Sequence, residues 1–397
     1  MAKILIWGAT GFTGSLVACE LAAQMSSDDE LILGGRNLKK LEAIAQSFER
    51  PCSLRQAQAD DETSLHTMLE GVDVVASTVG PYRRYGFPLA KACAETGVDY
   101  VDLCGETPFI RRCIDELGDS AAASGARLVH ACGFDSIPSD LGLLALQQEL
   151  ESACLPRLGH AQTTLCRLKG GLSGGTFASM LGLVKDAVND KQLRRILGHP
   201  YSLNPADERK GPQGRDRSGT SFDSDHQRWT APFLMAGINT RVVRRSNALL
   251  GHPYGTHLLY DEAMACRSRL QAVSMSAGLH AFTLGAALPP SRWLLGKLLP
   301  KPGQGPNEDE RAAGYFELQI VARQSADTPE IGRLIVAAQG DPGYSQTAVM
   351  LSQSALLLAA GESSAHGGIH TPASALGMKA VERLRAQGFR FEFRGAA

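Results

Sequence analysis

Three glycines near the amino end have the spacing of a phosphate-binding turn. The segment Gly8-Ala-Thr-Gly11-Phe-Thr-Gly14 follows a short apolar run and opens a helical pattern. Because glycine has no side chain, backbone N–H groups in such a turn can reach a pyrophosphate at the positive end of a helix. This spacing is weak evidence alone and strong between a strand and a helix; a turn without a ligand is the alternative. The predicted dinucleotide contacts are Gly8, Thr10, Gly11, Phe12, Thr13 and Gly14.

The residues after the second apolar run bear on which dinucleotide binds. A domain that selects NAD usually ends this strand with Asp or Glu on the ribose hydroxyls, whereas here Gly-Gly-Arg36-Asn37 is followed by Lys39. Because a guanidinium matches a 2′-phosphate, we predict NADP(H), bound by Arg36, Asn37 and Lys39. A solvated charge at a helix start is the alternative for Arg36. After the third run, Asp60 is expected near the adenine edge or at a helix N-cap.

The fourth apolar run is followed by Val79-Gly80-Pro81-Tyr82. Ligands of open α/β sheets bind at the carboxyl edge, where the strand order reverses. We therefore expect Val79, Gly80 and Pro81 to contact the cofactor near its nicotinamide ribose. Tyr82 is a candidate proton donor, and packing in the pocket wall is the alternative for its ring.

Acids and a hydroxyl follow the fifth and sixth apolar runs. Asp102 and Glu106 come after the fifth run, and Asp135 and Ser136 come after the sixth. Parallel strands end at one edge of a sheet, which brings these side chains toward one crevice. Asp135 and Ser136 are therefore catalytic candidates beside Tyr82. Capping of the next helix is an equally weighted alternative for both.

A hydrolase motif competes with the dinucleotide motif. Gly171-Leu-Ser173-Gly-Gly175 fits the G-x-S-x-G of a nucleophile elbow and lies between a strand pattern and a helix pattern. Such an elbow belongs to a parallel sheet, and the parallel sheet of this chain already has a dinucleotide turn. A helix start that holds a substrate anion, or a close contact between domains, is the favoured interpretation.

Two further clusters could bind ligands. Arg241, Arg244 and Arg245 are interpreted as solvated strand charges, with a phosphate clamp for coenzyme A or a carrier arm as the alternative. His366 and His370 have an i, i+4 spacing, but the two glycines between them argue against the helix that would align the rings. No metal site is predicted.

The elements that must position these residues alternate along residues 1–137. Short apolar runs predict six strands, at 3–7, 30–33, 53–58, 72–77, 99–103 and 127–131. Amphipathic segments between them predict helices at 13–24, 38–48, 62–70, 87–95 and 109–123. Such alternation indicates an α/β protein whose amino-terminal domain is a Rossmann-type, doubly wound parallel sheet.

The pattern becomes an irregular mixture after residue 137, which predicts a substrate or catalytic α+β domain over 138–370. Helices are expected at 138–149, 176–188 and 345–360, and strands at 162–168, 315–323 and 332–338. The polar segment 202–227 predicts a flexible loop, either disordered or a lid, and 300–314 is typical of a linker. Residues 371–397 are expected to form a C-terminal helix and strand.

Composition narrows the class of protein. The 397 residues include 40 Lys and Arg against 41 Asp and Glu, so nucleic acid is not an expected partner. Nine cysteines without a C-x-x-C pair favour the cytoplasm. The sequence lacks the roughly 18 consecutive apolar residues of a transmembrane segment. The apolar segment 279–299 is expected to pack in the core, with an acyl tunnel or a peripheral membrane contact as alternatives.

Several longer motifs resemble those of the trans-acting enoyl reductase family, within the saccharopine dehydrogenase-like oxidoreductases. Beyond the glycine turn they occupy residues 79–86, 130–140, 170–176, 239–250, 340–344 and 371–377. The resemblance covers nearly the whole chain. It implies an NADP-linked, two-domain fold whose second domain covers the nicotinamide and whose C-terminal helix returns to the first domain. It also implies an unsaturated lipid or polyketide substrate made by a partner synthase, which is a polyketide or fatty-acid synthase.

The reaction implied by the resemblance is hydride transfer from NADPH to the β-carbon of an α,β-unsaturated thioester. A proton is then delivered to the α-carbon, and the protein stabilises the enolate oxygen. The substrate would be a small molecule or an acyl group on a carrier. A saccharopine-type imine, amino-acid or carbonyl oxidoreductase and an NADP-binding scaffold without turnover are the alternatives. A homodimer is expected from the size of the chain.

Overall fold

Strands and helices alternate through residues 1–152, in the predicted order. The computed structural model describes residues 1–171, 173–213, 216–224, 227–300, 303 and 305–395. The strands of this part are β1 (Lys3–Trp7), β2 (Glu30–Gly35), β3 (Cys52–Gln56), β4 (Val74–Ser77), β5 (Asp99–Asp102) and β6 (Arg127–Val129). The helices are α1 (Phe12–Gln24), α2 (Leu38–Ala45), α3 (Glu62–Leu69), α4 (Tyr82–Tyr85), α5 (Phe87–Thr96), α6 (Thr107–Ser124) and α7 (Ile137–Ser152). Only the single-turn helix α4 lies outside the predicted pattern for these described residues.

The remaining elements form a mixed α+β arrangement, as expected. The strands are β7 (His160–Lys169), β8 (Ser221–Asp223), β9 (Arg228–Pro232), β10 (Leu259–Cys266), β11 (Tyr315–Arg323), β12 (Glu330–Gln339), β13 (Gly368–His370) and β14 (Arg390–Gly395). The helices are α8 (Gly174–Asn189), α9 (Lys191–Gly198), α10 (Ala236–Leu249), α11 (Arg269–Ala287), α12 (Pro289–Leu298), α13 (Glu308–Ala312), α14 (Thr347–Ala359) and α15 (Pro372–Ala386).

The first sheet is parallel throughout and has the order β13-β6-β5-β4-β1-β2-β3. Its central strands are apolar at successive positions because helices cover both faces; Ile4, Leu5, Ile6 and Trp7 of β1 are all buried. The strand order reverses between β1 and β4, which are neighbours in the sheet. The connections that leave these two strands therefore diverge and open a crevice at the carboxyl edge. The fold class predicted for this domain is confirmed.

The second sheet has the order β14-β12-β11-β7-β10-β9-β8 and is mostly antiparallel. Only the β7–β10 pair is parallel among its described strands. The helix α7, which follows the last consecutive strand of the first sheet, packs on β11 and β12. A Cβ on Gly142 of this helix would stand 2.6 Å from Cδ1 of Ile320. Glycine at this position therefore lets the helix lie close against the second sheet.

The chain returns to the first sheet earlier than the boundary at residue 371 suggests. The helix α14 packs on α1, β4 and β5, and β13 pairs in parallel with β6. The last strand, β14, then pairs with β12 of the second sheet. Because β13 has only three residues, its pattern in the sequence is too short to predict a strand.

The arginines of the predicted basic cluster are buried on α10, not solvated on a strand. Arg241, Arg244 and Arg245 are 2%, 3% and 5% exposed. They donate hydrogen bonds to backbone carbonyls, including that of Pro200 at 2.9 Å from Arg244 and that of Ile369 at 2.6 Å from Arg245. Burial, and then the charge of Arg111, lowers the pKa of Arg245 to about 9. Both predictions for this cluster are wrong, because the guanidinium groups are used to join neighbouring loops and strands to α10.

The polar segment 202–227 is mostly irregular, as expected, but part of it is packed against α10. Leu203 and Asn204 are buried, and the carbonyl of Leu203 accepts a hydrogen bond from Arg245. Asp216 pairs with Arg241 at 2.6 Å. The strand β8 also lies in this segment and pairs with β9. Burial and ion pairing thus fix a good part of the described loop to the second domain.

The expectation that residues 279–299 pack in the core is wrong. These residues form the end of α11 and the whole of α12, and five of their large apolar side chains are exposed. Leu284, Leu288 and Trp293 are 68%, 61% and 64% exposed. Within the described part of the chain, no helix combines the length and apolar character needed to cross a bilayer.

Candidate active site

A cavity of about 500 Å³ occupies the crevice at the carboxyl edge of the first sheet. One side is formed by the connections after β1, β2 and β4, and the other side by α8 from the second part of the chain. The predicted cofactor contacts that line it are Gly8, Thr10, Gly11, Phe12, Thr13, Gly14, Arg36, Val79 and Gly80. Pro81, the next residue, is the N-cap of α4. The structure thus brings residues from three separate strand ends to one cavity.

Two glycines of the turn leave no room for a side chain. Gly8 has φ +91°, and a Cβ there would stand 2.6 Å from Cγ2 of Val79. A Cβ on Gly14 would overlap the carbonyl oxygen of Gly8. Gly11 is the N-cap of α1 and has an ordinary φ of −82°, so its backbone conformation does not require glycine. Its position at the cavity is where a pyrophosphate needs a close backbone approach, so the cradle fits a dinucleotide.

Arg36, directly after β2, borders the end of the cavity where the adenosine of a dinucleotide is expected. Its side chain is exposed and lines the cavity, where a 2′-phosphate could bind. Asn37 caps α2 by accepting a backbone N–H at 3.1 Å, and Lys39 lies outside the cavity lining. Asp60 also lies outside it. The N-cap of α3 is its neighbour Asp61, which accepts N–H groups at 3.1 and 3.2 Å, so the capping alternative for Asp60 is wrong.

Tyr82 and Ser136 use their hydroxyls within the protein. The Tyr82 hydroxyl donates to the carbonyl of Ser77 at 2.9 Å and accepts the N–H of Leu103 at 3.2 Å. Burial raises its pKa well above the ordinary value. Ser136 is fully buried outside the cavity lining and donates to Oδ1 of Asn239 at 3.1 Å. This geometry disfavours both as proton donors, although the Tyr82 ring does form part of the cavity wall.

Asp135 also lines the cavity, and its carboxyl group has a raised pKa. Its Oδ2 lies 3.3 Å from the point where a Cβ on Gly105 would stand. Burial, and then the charge of Asp102, raises the pKa of Asp135 to about 7. Asp102 lies behind it, hydrogen-bonded to Nδ1 of His130 at 2.8 Å and to the N–H of Cys104 at 3.0 Å. A carboxyl with this pKa can hold a proton near neutral pH and release it.

Glu106 joins the two sides of the cavity. Its carboxylate accepts the N–H groups of Tyr82 at 2.8 Å and Arg83 at 3.2 Å, and the hydroxyl of Ser179 at 2.8 Å. Arg83 adds an ion pair to Asp186 of α8 at 2.9 Å. The position of Glu106 after the fifth strand predicts that it faces the crevice but does not indicate its role. These contacts fix α8 over the crevice.

The side of the cavity formed by the second part of the chain includes the start of α8, as the helix-start interpretation expected, and also residues that were not predicted as part of the site. It contributes Ser179, Met180 and Leu183 of α8, together with Met235 and Tyr344. The Tyr344 ring packs edge-on against Phe12 of the glycine turn, with ring centroids 4.9 Å apart. The only signal for these residues was the resemblance, which implied that the second domain covers the nicotinamide.

Ser173 caps a helix and does not form a nucleophile elbow. Its hydroxyl accepts the N–H of Thr176 at 3.0 Å at the start of α8 and contacts the Thr176 hydroxyl at 2.9 Å. The preceding strand β7 lies in the mixed second sheet. The hydrolase interpretation is therefore wrong. His370, from the other competing motif, contacts the carbonyl oxygen of His366 at 2.9 Å.

Comparison with known proteins identifies the family. Residues 4–129 match the family model described as the saccharopine dehydrogenase NADP binding domain. Trans-acting enoyl reductases of Mycobacterium bovis and Mycobacterium ulcerans are 35% and 34% identical to this chain, over 97% of its length and 96% of theirs. A relative from Mycobacterium tuberculosis with the same family name is 39% identical over the same shares. The chain belongs to the trans-acting enoyl reductase family.

The resemblance predicted from the motifs is confirmed, and so is the NADP cofactor. The protein is an NADP-dependent oxidoreductase with a saccharopine dehydrogenase-type binding domain. Among solved structures, the apo saccharopine dehydrogenase (L-Glu forming) of Saccharomyces cerevisiae covers the whole of both chains, with a TM-score of 0.58 and 12% identity. This match supports the fold of the reductase across both sheets.

Proposed function

We propose that this reductase uses NADPH to reduce the carbon–carbon double bond of an unsaturated acyl or polyketide thioester. The observation that supports this best is the cavity itself. It extends from the glycine turn and Arg36 to an acid of raised pKa, Asp135, and to apolar side chains such as Met180 and Leu183. The cavity therefore combines a cofactor cradle, a proton source and a wall suited to an acyl chain.

The residues of the cavity have different roles in this reaction. When bound, NADPH would supply a hydride to the β-carbon, and the double-bond electrons would move to the thioester oxygen. Protonated Asp135 would give its proton to the α-carbon, and solvent would reprotonate its carboxylate. Glu106 and Ser179 hold α8 in place, and the apolar side chains of α8 exclude water from the reacting atoms.

The substrate class is tested by following NADPH oxidation by the full-length protein. We expect turnover with α,β-unsaturated thioesters and little with matched imines or aldehydes. Turnover confined to imines or aldehydes would support a saccharopine-type activity instead. If the protein binds NADPH tightly but turns over none of these substrates, including thioesters on a carrier protein, the result would support a non-catalytic scaffold role.

Replacement of Arg36 by alanine tests the cofactor assignment separately. Removing a charged hydrogen-bond donor from a phosphate should weaken NADPH binding by about 10- to 100-fold. NADH lacks that phosphate, so its affinity should change little. Calorimetry on both cofactors checks this, with Lys39→Ala as a matched control because its charge lies outside the cavity lining. An unchanged NADPH affinity in the Arg36 variant would contradict the assignment.

The cellular setting is also proposed. The trans-acting relatives support work on chains made by a separate polyketide or fatty-acid synthase, including carrier-bound ones. All nine cysteines are free, which supports a location in the reducing cytoplasm. A role in lipid metabolism is proposed from the acyl or polyketide class of substrate. A homodimer stays a prediction, and gel filtration with light scattering would measure it.

A further inference from the structure

The helix α11 is apolar on two opposite faces. One face holds Ala272, Met275, Leu279, Phe282 and Ala286, which are buried or partly buried. The opposite face holds Leu270, Val273, Ala277, Ala281, Leu284 and Leu288, at intervals of three or four residues. Leu270, Val273 and Leu284 of this face are 77%, 45% and 68% exposed. A surface helix of a water-exposed protein normally has polar residues there.

The helix α12 extends this exposed surface. Trp293, Leu294 and Leu298 are 64%, 50% and 72% exposed, and Leu288 at 61% joins the two helices. We call the exposed side chains of both helices the hairpin face. A continuous apolar surface of this kind marks an interaction site, since isolated exposed leucines are common but a row of them is not.

The charged residues within the hairpin segment itself are all of one sign. From residue 263 to residue 307 the sequence contains no Asp or Glu, whereas it has five Arg and Lys residues. The ammonium of Lys297 lies 3.7 Å from the ring centroid of Trp293. Leucine and tryptophan flanked by cations are typical of helices that lie in the interface of an anionic bilayer.

We propose that the hairpin face binds the surface of a membrane that contains anionic phospholipids. A second copy of the chain fits less well, because a two-fold interface would bring each cationic patch against its own copy. The hairpin packs on α8, with the rings of Phe177 and Phe282 at 6.4 Å, and α8 forms the apolar wall of the cavity. Membrane binding would therefore place the acyl side of the active site next to the lipid phase. This surface goes beyond the proposed function and does not depend on it.

Vesicle flotation of the full-length protein tests the proposal. We expect wild-type protein to float with vesicles of phosphatidylcholine and phosphatidylglycerol, and much less with phosphatidylcholine alone or in high salt. The double variant Leu284→Ser, Leu288→Ser should bind the vesicles about 10- to 100-fold more weakly, because it lacks two leucine side chains that would be buried in the bilayer. Lys297→Gln should weaken binding to the anionic vesicles by about fivefold. Leu250→Ser, at an exposed leucine just after α10, is the matched control and should float like wild type.

Unchanged melting temperatures would show that the variants are folded, as expected for exposed positions. Wild-type protein that stays at the bottom with anionic vesicles would overturn the proposal, as would a double variant that floats normally. Sedimentation of the same samples tests whether a second copy of the chain covers the hairpin face instead. A dimer that the double variant loses, without any flotation, would assign the hairpin face to a second copy.

Discussion

Replacement of Asp135 by asparagine is expected to lower kcat by about 10²- to 10⁴-fold, the usual contribution of a positioned general acid. The amide preserves the shape of the side chain but has no acidic proton to give to the α-carbon. Binding of NADPH should change little, because Asp135 lies beyond the glycine turn and Arg36 in the cavity. Steady-state kinetics with an enoyl thioester, together with calorimetry of NADPH binding, measure both quantities.

The pH profile distinguishes a proton donor from a merely structural carboxyl. The pKa of Asp135 is raised to about 7, so its acid form predominates below that pH and is lost above it. Activity of the wild type should therefore fall about tenfold per pH unit above pH 7. The residual activity of Asp135→Asn should lack this fall. A profile of the same shape in both proteins would contradict the assignment.

Stability gives a second readout of the same residue. Because the pKa of Asp135 is raised in the folded state, the contribution of this residue to the free energy of unfolding is fully present below about pH 4. That contribution is lost as the pH rises to about 7. Asparagine stays neutral throughout, so the Asp135→Asn variant should melt above wild type at pH 8, with the difference disappearing toward pH 4. Asp119→Asn, on the exposed side of α6, is the control and should change neither activity nor this pH dependence.

The cofactor half of the active site could be predicted because its signals are local. A buried strand, a glycine turn and the start of a helix follow one another within residues 3–24, and Arg36 stands directly after the next strand. The opposite side could not be predicted in this way. Ser179 is 73 residues from Glu106, and nothing in the sequence near either residue indicates that they meet.

Sequence patterns also do not show which backbone atoms a side chain will bind. The hydroxyl of Tyr82 suits a proton donor by its type, but its partners are the carbonyl of Ser77 and the N–H of Leu103. Arg244 and Arg245 similarly bind carbonyls of loops and strands that are distant in the sequence. Residue type indicates which bonds a group can form, whereas the tertiary fold decides which bonds remain available.

The second large effect is expected from Gly14→Ala, which should weaken NADPH binding by about 10²-fold or more. The new Cβ would overlap the carbonyl oxygen of Gly8 and stand 2.9 Å from Oγ1 of Thr78. The Gly8 oxygen belongs to the turn proposed to hold the phosphates, and Thr78 follows β4, so α1 or the turn must move to make room. A displacement of about 1 Å from productive geometry can cost 10²-fold in catalysis. Calorimetry of NADPH binding and kcat/KM for NADPH measure the loss.

Two further glycine replacements test whether the effect of Gly14→Ala comes from the contacts of the new Cβ or simply from replacing a glycine in a helix. Gly118 lies in α6 with nothing within 4 Å of its Cβ position, so Gly118→Ala should keep NADPH affinity and gain about 0.4–1 kcal/mol of stability. Gly11→Ala should lower the melting temperature only slightly, because the Gly11 φ of −82° suits alanine and its Cβ would stand 3.3 Å from the Gly8 carbonyl oxygen, but it should weaken NADPH binding by crowding the pyrophosphate. Gly14→Ala should lower both quantities, because its Cβ meets the protein itself. Normal NADPH affinity in both the Gly11 and Gly14 variants would mean that the cofactor does not bind at this turn.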